Sequence, residues 1–81
     1  MARVRLLAPS LRARHGGARE LGSEAASVED LLAELDVEAN EDLRVLVNGR
    51  AIAFLDGLAT RLGRDDVVSL AHVGIRGWPG G

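Results

Sequence analysis

The chain contains no cysteine, no lysine and no tyrosine, and only one phenylalanine and one tryptophan. Without cysteine there is neither a disulfide nor a thiolate zinc site to support a fold, and no thiol nucleophile or redox couple. All ten basic residues are arginines, a usage that a GC-rich coding bias produces. Whatever its origin, it has a chemical consequence: an activated carboxyl terminus cannot be captured by a lysine of its own chain, which leaves the α-amine as the internal amine. Long apolar runs are missing too. The longest, Ala51 to Leu55, is far short of the ~20 residues that cross a bilayer. The amino terminus has no signal-peptide core, so a cytoplasmic location and no membrane partner are expected. A formal charge of −2 and a pI near 5.6 lack the one-sided basic footprint of a nucleic-acid binder.

What is present suffices for one packed domain. Leu, Ile, Val and Phe make up 24 of the 81 residues, well above the content of disordered chains. The length lies near the lower limit at which a single core holds a fold without staples.

Arg3-Val4-Arg5-Leu6 alternates polar and apolar, the period-two signature of a strand. Ala8 to Gly17, with Pro9, Ser10 and Gly16-Gly17 among scattered Arg and His15, reads as a flexible connection. Arg19-Glu20-Leu21 reads as a short second strand. Ser27 then opens the best-defined element, as an N-cap with Glu29 and Asp30 on the positive end of the helix dipole. Val28, Leu31, Leu32 and Leu35 fall at i, i+3, i+4 and i+7, one stripe at helical period that should pack on a sheet. Asp36 to Asp42 is a connection. Leu43 to Val47 reads as a strand, and Asn48-Gly49 supplies the positive φ angles of a type I′ turn. Arg50 to Phe54 returns as its hairpin partner. Asp56-Gly57 turns the chain, Ala59 to Leu62 is a short extended piece, Gly63 to Asp66 turns again, and Val67 to Leu70 is the last strand.

This order describes an α+β domain in two layers, a mixed four- to five-stranded sheet with one main helix packed on one face. It fits the β-grasp, or ubiquitin-like, arrangement, with the first and last strands side by side at the centre. The expected organisation is a β-grasp domain over residues 1–73 and a flexible tail over residues 74–81, ending in Gly-Gly.

The tail carries the candidate chemistry. Two terminal glycines arise by chance in roughly 0.5% of chains of average composition, and somewhat more often in one as glycine-rich as this. Gly80-Gly81 presents a carboxylate with no side chains beside it, narrow enough to thread a channel and meet the α-phosphate of ATP. Trp78 reads as an anchor for a partner's pocket, held extended by Gly77 and Pro79; the alternative is that it folds back onto the domain. Pro79 also lowers the entropy lost on threading. Arg76 pairs with an acidic groove or a phosphate, or else stays solvated.

Val4-Arg5-Leu6, the helix Ser27 to Leu35, Val47-Asn48-Gly49, and Leu62 to Leu70 leading into the diglycine together resemble the ThiS/MoaD family of ubiquitin-like sulfur carriers, over essentially the whole chain. The resemblance implies that Gly81 is adenylated by a separate ATP-dependent activating enzyme. A sulfurtransferase or other sulfur donor then converts it to a thiocarboxylate, and the sulfur passes to a biosynthetic enzyme. Gly80 would admit the tail to the activating site. Family members commonly reach the diglycine through a short Pro-Pro segment, whereas Ala71 to Pro79 intervene here. Such a tail suits a carrier with a dedicated partner, or a modifier joined through Gly81 to lysines of target proteins.

Elsewhere the residues read as structural. His15 and His72 are the only histidines, too few for a metal site without further converging ligands. Ser10, Ser69 and the carboxylates show no nucleophile, base and orienter in sequence. Gly16-Gly17 lacks the Lys and Ser/Thr of a phosphate-binding loop. No catalysis by this chain and no cofactor bound to it are expected; ATP is the partner's ligand.

Overall fold

The computed structural model describes residues 1–72. Strand β1 (Ala2–Leu6) leads into a short helix α1 (Pro9–Arg14) and strand β2 (Glu20–Ser23); helix α2 (Val28–Leu35) follows, then β3 (Leu43–Val47), β4 (Arg50–Ala51) and β5 (Val67–His72). The strands form one sheet in the order β2-β1-β5-β3-β4. β1 and β5 run parallel at its centre, with Val4 opposite Val68 and Leu6 opposite Leu70, while the other pairs are antiparallel. This is the β-grasp fold.

The period-two pattern decides which face is buried. Ala2, Val4 and Leu6 of β1 are buried while Arg3 and Arg5 face solvent, and Val68 and Leu70 continue the same inner face on β5. Onto it α2 lays Val28, Leu31, Leu32 and Leu35, all buried. The Ser27 side chain accepts from the Asp30 amide at 3.2 Å, closing the helix start as its cap. Asp36 ends the helix in the left-handed region at φ 56°, so that Val37 donates back to the Leu32 carbonyl and is buried beside the stripe.

Three elements depart from the sequence expectations. Ala8 to Gly17 is not merely a connection: Pro9 to Arg14 form α1. Proline occupies the first turn, where its missing N–H costs nothing, and Leu11 is buried in the common core. Arg12 donates to the Leu6 carbonyl at 2.7 Å, and Arg14 donates to the carbonyl and carboxylate of Asp36, tying α1 to the end of α2. The return strand expected over Arg50 to Phe54 pairs only through Arg50 and Ala51, after which Ile52–Phe54 and Gly57–Ala59 wind into 3-10 turns. The extended piece expected at Ala59 to Leu62 is reduced accordingly: Ala59 closes the second 3-10 turn, and Arg61 makes an isolated bridge with Ser27.

The Asn48-Gly49 turn forms as expected, with φ of 54° and 84° at the two residues.

Candidate functional site

The six tail residues singled out by the sequence, Arg76, Gly77, Trp78, Pro79, Gly80 and Gly81, lie outside the described residues. The structure does show the strand that precedes them in the chain. β5 is the middle strand, and its last residue, His72, pairs with Leu43 on β3. On the other side Leu7 donates to the Leu70 carbonyl at 2.8 Å, and Ser10, in the first turn of α1, shares a 3.3 Å hydrogen bond with His72 Nδ1. The last described strand is therefore braced on both flanks at its end. Sequence reasoning missed α1 as part of this brace; Pro9 at a first turn and Leu11 within a polar stretch were its available signals.

The opposite end of β5 is set by side chains. The Asn48 amide oxygen accepts from the Val67 N–H at 2.9 Å, while its backbone N–H donates to the Val67 carbonyl at 2.7 Å. Its side-chain amide donates to Asp66 at 3.0 Å, and the other Asp66 oxygen accepts from the Gly63 N–H at 2.7 Å. The Gly63 amide first, and the Asn48 amide second, hold the Asp66 carboxyl below its ordinary range, because both bonds favour the charged form. The turn chemistry expected of Asp65-Asp66 is thus carried by Asp66, as a clamp on the start of β5.

The remaining candidates do not assemble into a reaction centre. Ser10 and His72 meet in an exposed position, yet among the described residues no carboxylate hydrogen-bonds that imidazole to orient it as a base. Ser69 lies on the outward face of β5, opposite Arg5 and Leu46. His15 Nε2 is buried without a hydrogen-bond partner among the described residues. No group of His, Asp and Glu among the described residues is arranged to hold a metal ion. No helix among them is long and apolar enough to cross a membrane.

The outer sheet face has its own character. Arg3, Arg5 and Arg44 project from it around Leu46, Val67 and Ala71, and one carboxylate, Glu20, pairs with Arg3 at 3.1 Å. Glu29, Asp30 and Glu34 lie on the exposed side of α2. The small net charge thus conceals two faces of opposite sign.

The sequence profile of the ThiS family matches residues 4–73. No curated protein sequence matches the chain. Among solved structures, Mycobacterium tuberculosis CysO, described as an antigen, superposes with a TM-score of 0.80 at 17% identity, over 91% of this chain and 100% of that one. Small archaeal modifier protein 1 from Methanosarcina acetivorans gives 0.76 at 25% identity, over 95% of each chain. A structure of the Amycolatopsis orientalis BexX/CysO complex contains a chain matching with 0.74 at 19% identity, over 95% of this chain and 100% of that one.

Proposed function

The chain belongs to the ThiS family, and from that membership we propose that it is a sulfur carrier, a protein co-substrate rather than an enzyme. The family and its structural neighbours support a sulfur-carrier or ubiquitin-like modifier role. The observation that carries the finer reading is that a family match ending at residue 73 is followed, at the end of the chain, by Gly80-Gly81. In the proposed reaction a partner enzyme binds ATP. A carboxylate oxygen of Gly81 attacks the α-phosphorus, pyrophosphate leaves, and the carbonyl carbon becomes an acyl-adenylate. Sulfide then displaces AMP to leave a thiocarboxylate directly. From a sulfurtransferase, the persulfide sulfur displaces AMP to give an acyl disulfide; a second thiol then attacks the sulfurtransferase sulfur, forming a disulfide and releasing the thiocarboxylate for a biosynthetic acceptor. This chain's part is to present the terminus: Gly80 passes the activating channel, and Trp78, Pro79, Gly77 and Arg76 are read by the partner. ATP is held by that partner and no cofactor by the chain.

Intact-mass measurement after incubation with the cognate activating enzyme, ATP and a sulfur donor should show one oxygen replaced by sulfur. Deleting Gly81, or adding a residue after it, should abolish ATP-pyrophosphate exchange while circular dichroism stays unchanged. Retained exchange by the truncated chain rejects Gly81 as the reacting group.

A second reading, as a protein modifier, is favoured by the likeness to the small archaeal modifier. The same acyl-adenylate would serve it, with a target lysine displacing AMP. Because the chain has no lysine, any lysine-linked ladder must join Gly81 to other proteins. Abundant conjugates of that kind with no thiocarboxylated free pool would reverse the ranking.

A further inference from the structure

Phe54 is 81% exposed, and it is the sole aromatic side chain among the described residues. Its exposure is built into the backbone. Ile52 and Leu55, on either side of it, pack against the core, so Phe54 between them is turned outward. The following 3-10 turn is stapled by buried Thr60, whose Oγ1 donates to the Gly57 carbonyl at 2.7 Å and accepts from the Asp56 N–H at 3.1 Å. Leu58, on that turn, is exposed as well. An aromatic held rigidly outward loses little conformational freedom when a partner covers it, which is the property of an interface anchor. The residue after Phe54 in the chain, Leu55, lines a cleft of about 330 Å³ together with Val47, Asn48 and Thr60 and the exposed Arg50 and Arg61.

The charge of this region selects its occupant. Arg50 and Arg61 are the charged members of the cleft's lining, and both are cationic; the other residues that line it are neutral. A symmetric pairing of two copies through Phe54 would set arginines against arginines, so the geometry disfavours self-association. A surface offering an apolar socket beside carboxylates is complementary in both respects. The region also stands apart from the end of β5: β3 ends at Val47, opposite Val68, whereas β5 ends at His72, about 13 Å further along. A partner can hold this surface while the carboxyl terminus is processed elsewhere.

We propose that Phe54 and Leu58, with the Arg50–Arg61 cleft, form a docking surface for an acidic-rimmed apolar socket on the body of the adenylating enzyme, separate from the site that reads the tail. The identity of that enzyme rests on the carrier reading above. The test uses the full chain and the cognate adenylating enzyme. Phe54→Ser and the double reversal Arg50→Glu/Arg61→Glu should each raise KM for the carrier in ATP-pyrophosphate exchange tenfold or more, with kcat unchanged. In titration calorimetry a chain lacking Gly80 and Gly81 should still bind, and Phe54→Ser in that background should weaken its Kd at least tenfold. Both variants binding like the parent overturns the surface, even where Gly81 removal still abolishes exchange and the carrier reading stands. Weakened binding by both variants, with exchange indifferent to Gly81, keeps the surface and rejects the carrier reading. Absence of any binding between the parent chain and the enzyme overturns the surface. So does Phe54-dependent binding to phosphatidylglycerol–phosphatidylcholine vesicles with enzyme affinity unaltered, which would assign the patch to a lipid surface.

Discussion

Helix α2 and the segment from Ile52 to Ala59 are both rich in apolar residues, yet the first buries all of its large ones and the second shows two of its own to solvent. In α2, Val28, Leu31, Leu32 and Leu35 are separated so that 3.6 residues per turn bring them to one side, and each is buried against the sheet. From Ile52 to Leu55 the apolar residues are consecutive. No helical period places consecutive residues on one face, and the two 3-10 turns are interrupted at Leu55 and Asp56. Ile52 and Leu55 reach the core, while Phe54 and Leu58 remain outside. Apolar content measures how much surface can be buried. Spacing decides what the domain itself buries and what is left for another molecule.

Substitutions in the two regions test that contrast. The largest effect is expected from Leu31→Ala, which removes a fully buried side chain at the centre of the α2 stripe. It should cost about 2–5 kcal/mol, a large share of the ~5–15 kcal/mol that holds a typical domain. An unchanged denaturation midpoint would break the assignment of α2 as the core layer. Next, Thr60→Val preserves shape and β-branching but deprives the Asp56 N–H of its side-chain acceptor and the Gly57 carbonyl of one of two donors, the Thr60 N–H remaining. A loss of about 1–3 kcal/mol is expected, with lowered amide-exchange protection at Asp56. Wild-type protection there would show that the 3-10 turns do not depend on the staple.

A smaller effect, and one of definite sign, concerns Asp66. Its carboxyl titrates lower in the folded chain than the ordinary value of 3.8, because Gly63 and Asn48 hydrogen-bond the charged form. The unfolded chain therefore binds more protons in that range, and stability rises with pH across it. The contribution is fully present above the unfolded value and is lost as pH falls through the folded one. Thermal melts between pH 5 and pH 2.5 should lose less for Asp66→Asn than for the parent. Parallel acid limbs would remove Asp66 from the account.

The smallest effect on stability belongs to Phe54→Ser. At 81% exposure the ring contributes little to the fold, so the change should stay within about 0.5 kcal/mol of the parent. A loss comparable to that of Leu31→Ala would mean that Phe54 is part of the core, and the contrast between the two regions would collapse.

Much of the fold is legible in the sequence where one short window contains all the relevant residues. The alternation from Arg3 to Leu6, the Ser27 cap with its stripe, and the Asn48-Gly49 turn are such windows, and each forms as read. α1 was not legible. Six residues without a side-chain cap do not hold a helix in water, and α1 exists because Leu11 is buried and Arg12 and Arg14 bond to distant carbonyls. β4 was overestimated because β-branched and aromatic residues suit a strand, whereas Ile52 and Leu55 instead gain contact with the core by leaving the ladder. The candidate site divides in the same way. The diglycine is a covalent feature, visible in the sequence; the brace around His72 and the outward Phe54 are not.

By itself the sequence determined what periodicity and covalent chemistry can encode: two central strands, a capped amphipathic helix, a hairpin turn, and a Gly-Gly pair at positions 80 and 81. The tertiary structure alone decided that Ser10 meets His72, 62 positions away in the chain, that Asn48 reaches Asp66 and Val67, and that Arg14 reaches Asp36. It also decided that Phe54 is shown rather than buried. The physical reason is that a cap, a stripe or a turn is favoured by residues within a few positions of one another. These other contacts form only after the shared core has brought remote segments together.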